Sequence, residues 1–258
     1  MKTSLCIDVG LRNLSMCIMT SEYNILLWDT FDVLENDDFK CEGTFKNGKV
    51  CGRKCNKKVK IDNKIVYTCK THFPKEITQL PTHTHTTKKI DSYSLQSIAK
   101  VVLLKIQQVY TDNIHIFEKV TKIHIELQPK INQKLKYISH IIHGKLTELY
   151  LNFPKTIISF VSASKKLRIE YTGPEIICNL KGEYAKRKFM SIQYCMWYLE
   201  NKFDSEEMSV WNCKLNLKTK QADMADTFCM AVNLLYGIPP KVKSTIPGKF
   251  KRRYRIKK

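Results

Sequence analysis

No stretch of this chain approaches the roughly 18 consecutive apolar residues needed to cross a bilayer, which argues against a membrane span. Its start, Met1-Lys2-Thr3 followed at once by a strand-like run, lacks the charged-then-apolar layout of a secretory signal. A soluble, intracellular protein is expected, with its ten cysteines serving as thiols and metal ligands rather than disulfides. Acid is also scarce: 24 Asp and Glu stand against 44 Lys and Arg, a net charge of +20. Such an excess points to a polyanionic partner, nucleic acid first. The alternative is a generic lysine-rich composition from an AT-rich genome, since charge speaks to association and not to fold. What the chain does have is 258 residues, 43% of them hydrophobic, enough for one good-sized domain or a domain plus a small module.

The first apolar run, Ser4-Leu5-Cys6-Ile7-Asp8-Val9-Gly10, is short and branched, as a buried strand should be. Gly10 permits a tight turn into a second strand, Leu14 to Thr20, and Tyr23 to Val33 continues an antiparallel meander. A helix capped by Asp91 or Ser92 runs to about Tyr110, with Leu95, Ile98, Ala99, Val102, Ile106 and Val109 on one face. Ile123 to Gln128 alternates as a half-buried strand, closed by Pro129, and a helix with the stripe Ile131, Leu135, Ile138, Ile142, Leu146, Leu149 follows. Thr156 to Val161 is nearly all apolar, which suits a central strand. Glu183 to Glu200 reads as a helix with a basic start, Lys202 to Leu217 as a mixed loop, and Lys220 to Tyr236 as a final helix capped by Thr219 and apolar nearly all round. The expected fold is α/β, a mixed sheet with flanking helices. Residues 241–258 hold nine Lys or Arg and no acid, a basic arm that either contacts nucleic acid or is simply solvated.

Between 37 and 75 the apolar residues thin out and Cys41, Cys51, Cys55, Cys69 and His72 appear. Structural zinc takes four thiolate or imidazole ligands, usually as two close pairs. Cys69-Lys70-Thr71-His72 is one such pair, and Gly48 and Gly52 around Cys51 suit a knuckle turn. The favoured set is Cys41, Cys51, Cys69 and His72, with Cys55 as the alternate. A segment this poor in apolar residues needs a metal staple, so the zinc is expected to be structural. Residues 76–90 read as a connector, and His83 and His85 within it as solvated side chains or spare ligands.

Four acids interrupt elements that are otherwise apolar or small: Asp8 on the first strand, Glu126 on a middle strand, and Asp223 and Asp226 one turn apart on the last helix. Each has a plain reading. Asp8 can accept backbone hydrogen bonds in its turn, Glu126 can share a solvent face with His124, and the helix pair can complement the helix dipole. Brought together, they cannot share a site uncompensated, but they can hold two divalent cations about 3.5–4 Å apart, the arrangement that hydrolyses phosphodiesters. Lys220 precedes Asp223 by a helical turn and can offset phosphate charge. Lys165, Lys166, Arg168, Lys186 and Arg187 are the candidates for backbone phosphate contacts.

In that order and context, IDVGLRN, IELQ and KQADMADTF match the D-x-G, I-E-x-Q and D-x-x-D signatures of the RuvC-like Holliday-junction resolvases. The chain resembles the version carried by poxviruses and related large DNA viruses. The resemblance covers roughly 1–36 and 91–236. It implies a ribonuclease-H-like nuclease domain (1–36 and 91–240), interrupted by a zinc-knuckle insertion (37–75) and a linker (76–90). It also implies a homodimeric endonuclease that cuts four-way DNA junctions with paired nicks and takes Mg²⁺ or Mn²⁺, two ions per site, with no small-molecule cofactor. Asp8, Glu126, Asp223 and Asp226 fall on the family's metal-binding acids. The insertion is a departure from the compact bacterial members. Two rivals remain: a non-catalytic zinc-containing nucleic-acid-binding or transcription accessory protein, and the same fold acting on RNA–DNA hybrids.

Overall fold

The computed structural model describes residues 2–34, 40–53, 55, 57–61, 64–73, 83–84, 93–129, 131–217 and 221–238. Short apolar runs in the opening residues produce three antiparallel strands, β1 (Thr3–Val9), β2 (Asn13–Thr20) and β3 (Ile25–Asp32), the first two buried along nearly their whole length. The β1–β2 turn closes on Gly10, whose N–H donates to the Asn13 carbonyl at 2.9 Å. A Cβ at Gly10 would sit 2.6 Å from that same oxygen, so the close approach needs glycine. A separate small sheet follows: β4 (Lys57–Ile61) pairs antiparallel with β5 (Lys64–Thr68) and with β6 (His83–Thr84). His83, expected in a connector, therefore lies on a strand, whereas His85 is outside the described residues.

Helices α1 (Leu95–Asp112) and α2 (Ile114–Phe117) lead into β7 (Lys122–Leu127), and α3 (Gln133–Leu149) into β8 (Ile157–Ser162). Then come α4 (Glu183–Lys202), α5 (Ser205–Leu217) and α6 (Gln221–Tyr236). β7 and β8 add in parallel beside β1, giving a five-stranded mixed sheet in the order β3-β2-β1-β7-β8. The inner strands β1 and β2 are buried on both faces. Leu5, Ile7, Leu14 and Met16 face α1 and α3, whereas Cys6, Cys17, Met19 and Trp28 face α4 and α6. Trp28 ties the second layer down by donating its indole N–H to the Met224 carbonyl at 2.9 Å. Among the described residues no helix is long and apolar enough to cross a membrane.

Several boundaries and one element differ from the sequence-based expectation. α1 is capped by Ser94, whose hydroxyl accepts the Ser97 N–H at 3.1 Å, while Asp91 and Ser92 lie outside the described residues. α3 begins after Asn132, whose side chain accepts the Leu135 N–H, so Ile131 drops out of the stripe and is 96% exposed. β8 is an edge strand and not a central one, because among the described residues it pairs with β7 alone. An apolar run shows that a strand can be covered, not that it has neighbours on both sides. The expected loop at 202–217 is the helix α5. Its start is set by Asp204, whose carboxylate accepts the N–H groups of Glu206 and Glu207 at 3.0 and 2.8 Å, and those acids suit its N-terminal dipole. It was illegible as a helix because only Leu215 is buried, leaving no apolar stripe. Thr219, Lys220 and the basic arm lie outside the described residues.

Candidate active site

The last paired residues of β1 and β7 are Ile7 and Ile125, so Asp8 and Glu126 follow side by side at the carboxyl ends of two adjacent parallel strands. Open α/β sheets bind ligands at that end. Both acids share the face of Cys6 and His124, and α4 and α6 cover that face rather than solvent. Burial there, with Lys122 and Lys165 nearby, pulls the His124 imidazole down to about 4. α6 packs on β1 and β2 through Met224, Ala225 and Phe228, and its first turns bring Asp223 and Asp226 over the same spot.

Two lysines complete the cluster. Lys166 follows the 3₁₀ turn Ala163–Lys165 after β8 and donates to Glu126 at 3.1 Å and to Asp226 at 2.6 Å. Lys188, on α4, donates to Asp223 at 2.8 Å and to Asp226, and lies 3.7 Å from Asp8. Asp226 is fully buried and also accepts from the Ser191 hydroxyl, so three donors surround one carboxylate. A buried acid needs such compensation.

Burial, and then the hydrogen bond to Glu126 and its charge, push the Asp8 carboxyl well above the usual range despite Lys188 and Lys166. Burial would raise Glu126 as well, but the Asp8 hydrogen bond and the Lys166 ammonium outweigh it and hold Glu126 below its ordinary value. The two carboxyls therefore titrate as one coupled pair, with Asp8 the harder of the two to ionise. Burial alone would neutralise the lysines. Glu126 and Asp226 instead hold Lys166 charged, and Asp226 and Asp8 do the same for Lys188. The six side chains line a cleft of about 400 Å³, which Tyr184 and Arg187 also border.

The structure thus brings Asp8, Glu126, Asp223 and Asp226 together. Lys166, expected among solvent-facing phosphate contacts, is instead buried inside the acid cluster. Lys165, Arg168, Lys186 and Arg187 are exposed, and of these Arg187 borders the cleft. Lys220 is outside the described residues. Sequence reasoning missed Lys188 and Ser191 as members. The available signal was alignment: Lys188, Ser191 and Cys195 fall at i, i+3 and i+7, which places the lysine on the buried stripe of α4.

A second constellation lies in the small-sheet segment. Cys41, Cys51, Cys69 and His72 place one ligand atom each within 4.8 Å of one another, a set that could hold a metal ion. Cys55, the alternate, stands near Cys41 without joining the four. Burial would raise the Cys69 thiol, but the His72 backbone N–H, its imidazole and the Thr71 N–H bring it down to about 6.

Comparison with protein-family models finds no match, and comparison with curated proteins finds none either. Among solved structures, the crystal structure of the yeast mitochondrial Holliday junction resolvase Ydc2 aligns with a TM-score of 0.46 at 13% identity. The alignment covers 91% of this chain and 79% of that one. An overlap of that degree places no side chain, and the chemistry below comes from this chain's own acids and lysines.

Proposed function

We propose that this chain is a metal-dependent, structure-selective endonuclease that cuts four-way DNA junctions by phosphodiester hydrolysis. The observation that carries the reading is the convergence of four carboxyls with the buried Lys166 and the half-buried Lys188 in one cleft at the carboxyl ends of β1 and β7. The donor set is all hard oxygen, which suits Mg²⁺ or Mn²⁺. The Asp8–Glu126 hydrogen bond points the same way, because two carboxyls in contact need a proton or a cation between them. Asp8, Glu126, Asp223 and Asp226 would hold the metal. Bound there, divalent cations supply activation of the attacking water and stabilisation of the leaving oxygen.

The chain's own groups do the rest. Lys166 and Lys188 set two positive charges against four acids and keep those carboxyls from repelling one another apart. Lys188, the more exposed of the two at 19% of its side chain, is the one placed to donate to a phosphate oxygen in the cleft. Arg187 on the cleft wall, with Lys165, Arg168 and Lys186, supplies phosphate contacts that position DNA without reading its sequence. The sheet, three antiparallel strands continued by two parallel ones with helices on both faces, supports a ribonuclease-H-like reading. Paired nicks across a four-way junction require two such clefts, hence a homodimer. The four-way junction as substrate, and a place in viral DNA recombination, rest on the three sequence motifs. A non-catalytic zinc-containing binding protein would account for the charge and the Cys/His cluster, but it gives no reason to gather two lysines among four acids in one cleft.

The test is cleavage of a four-way junction, a linear duplex and an RNA–DNA hybrid, each with and without Mg²⁺. The wild type is expected to nick the junction in pairs. Asp8→Asn and Glu126→Gln should each lower that rate by more than about a hundredfold, the scale of losing one charge-stabilising group, while still binding the junction. Parental rates in either variant would refute the site, and cutting of the hybrid alone would refute the substrate.

A further inference from the structure

We propose that Cys41, Cys51, Cys69 and His72 bind one zinc ion tetrahedrally, and that this ion takes the place of an apolar core for the segment from 40 to 73. The separations fit. With zinc about 2.3 Å from sulfur and about 2.0–2.1 Å from nitrogen, a tetrahedron has S···S edges of about 3.8 Å and S···N edges of about 3.6 Å. Cys51 Sγ and Cys69 Sγ are 3.8 Å apart, Cys41 Sγ and His72 Nδ1 3.6 Å, and Cys69 Sγ and His72 Nδ1 3.4 Å. A disulfide would instead bring two sulfurs to about 2.0 Å.

The backbone is shaped to present these atoms. In the first pair, the Cys51 N–H donates to the Gly43 carbonyl at 2.7 Å and the Cys41 N–H to the Arg53 carbonyl at 2.8 Å, which folds residues 41–53 back on themselves. Gly48 and Gly52 take positive φ, 77° and 60°, in the turns of that loop. In the second pair, a 3₁₀ turn over Lys70–His72 sets Cys69 and His72 on one side. Gly43 leaves room for the imidazole, since a Cβ there would lie 2.6 Å from the His72 Cβ. The Phe45 ring then packs edge-on against His72 at 4.9 Å and shields it.

What the segment lacks completes the argument. Among the residues here whose burial is described, Cys41, Thr68 and Cys69 are the buried ones, so two of the four ligands stand where apolar side chains would be sought. A segment this poor in apolar residues needs another source of stability, and metal binding supplies it. Three thiolates and an imidazole favour zinc over the hard cations expected in the acid cleft. Four protein ligands leave no open position, which makes the ion structural. The geometry also chooses Cys51 over Cys55.

Metal content of the full chain, purified without chelator, tests this independently of junction cleavage. About one zinc per chain is expected for the wild type and for Cys55→Ser, and a clear loss for Cys51→Ser. Cobalt substitution of the wild type should give the visible bands of a tetrahedral thiolate site, and those bands should shift in His72→Cys, which keeps four ligands. The cobalt spectrum decides the matter even if Cys51→Ser does not fold. A zinc-free wild type without cobalt bands would overturn the proposal. So would zinc lost from Cys55→Ser but kept in Cys51→Ser, or a thiol titration of the unreduced chain two short of its ten cysteines.

Discussion

Replacing Lys166 by methionine asks whether the cleft lysines balance the acids. Methionine keeps an unbranched apolar stem and removes the ammonium. The change takes a shared partner from Glu126, at 3.1 Å, and from Asp226, at 2.6 Å, and leaves Lys188 to face four carboxyls. The side chains of Lys166, Glu126 and Asp226 are 8%, 11% and 0% exposed, so water cannot stand in for the lost charge. Removing one member of a buried pair costs about 3–5 kcal/mol. In a chain of this size about 2–4 °C of Tm goes with each kcal/mol, so the melting point should fall by roughly 6–20 °C in Mg²⁺-free buffer. The variant cleft is more negative and should hold Mg²⁺ more tightly than the wild type, so saturating Mg²⁺ should narrow the gap by mass action. Calorimetric melting of both proteins with and without Mg²⁺ checks this. A gap of the same size in both buffers would refute the reasoning, as would no gap at all.

Two further outcomes follow from the same geometry. Because burial and Glu126 raise the Asp8 carboxyl in the folded chain above its unfolded value, Asp8 leaves stability intact below the ordinary carboxylate range and erodes it as pH rises through that range toward the folded value. In Mg²⁺-free buffer Asp8→Asn should therefore melt higher than the wild type at neutral pH and show a flatter Tm between about pH 4 and 8; a wild-type profile as flat as the variant's would count against the raised Asp8 carboxyl. At the turn behind Asp8, Gly10→Ala should cost about 1–3 kcal/mol in urea unfolding and slow cleavage while leaving the metal content of the Cys/His segment unchanged, since the new Cβ would press on the Asn13 carbonyl; an unchanged urea midpoint would show that the turn yields freely.

Residue types and local spacing carried much of this protein openly. The opening meander, the stripes of α1 and α3, the Cys-x-x-His pair and the i, i+3 acids of α6 are patterns made by neighbours a few residues apart, and such patterns are legible in one dimension. Alternation put Glu126 on the face of His124, but it could not say that α4 and α6 would cover that face, because which face is buried depends on elements more than fifty residues later. For the same reason nothing local separated Lys166 from Lys165, or marked Lys188 as the partner of Asp223 and Asp226. Those pairings exist only once β8 and α4 have docked on the sheet. The grouping of Cys51, rather than Cys55, with Cys41, Cys69 and His72 and the edge position of β8 likewise appear only in three dimensions, where packing selects one neighbour among several that the chain makes chemically equivalent. A side chain's type states what it can bind, and the tertiary fold, by removing water and bringing distant segments into contact, decides what it does bind.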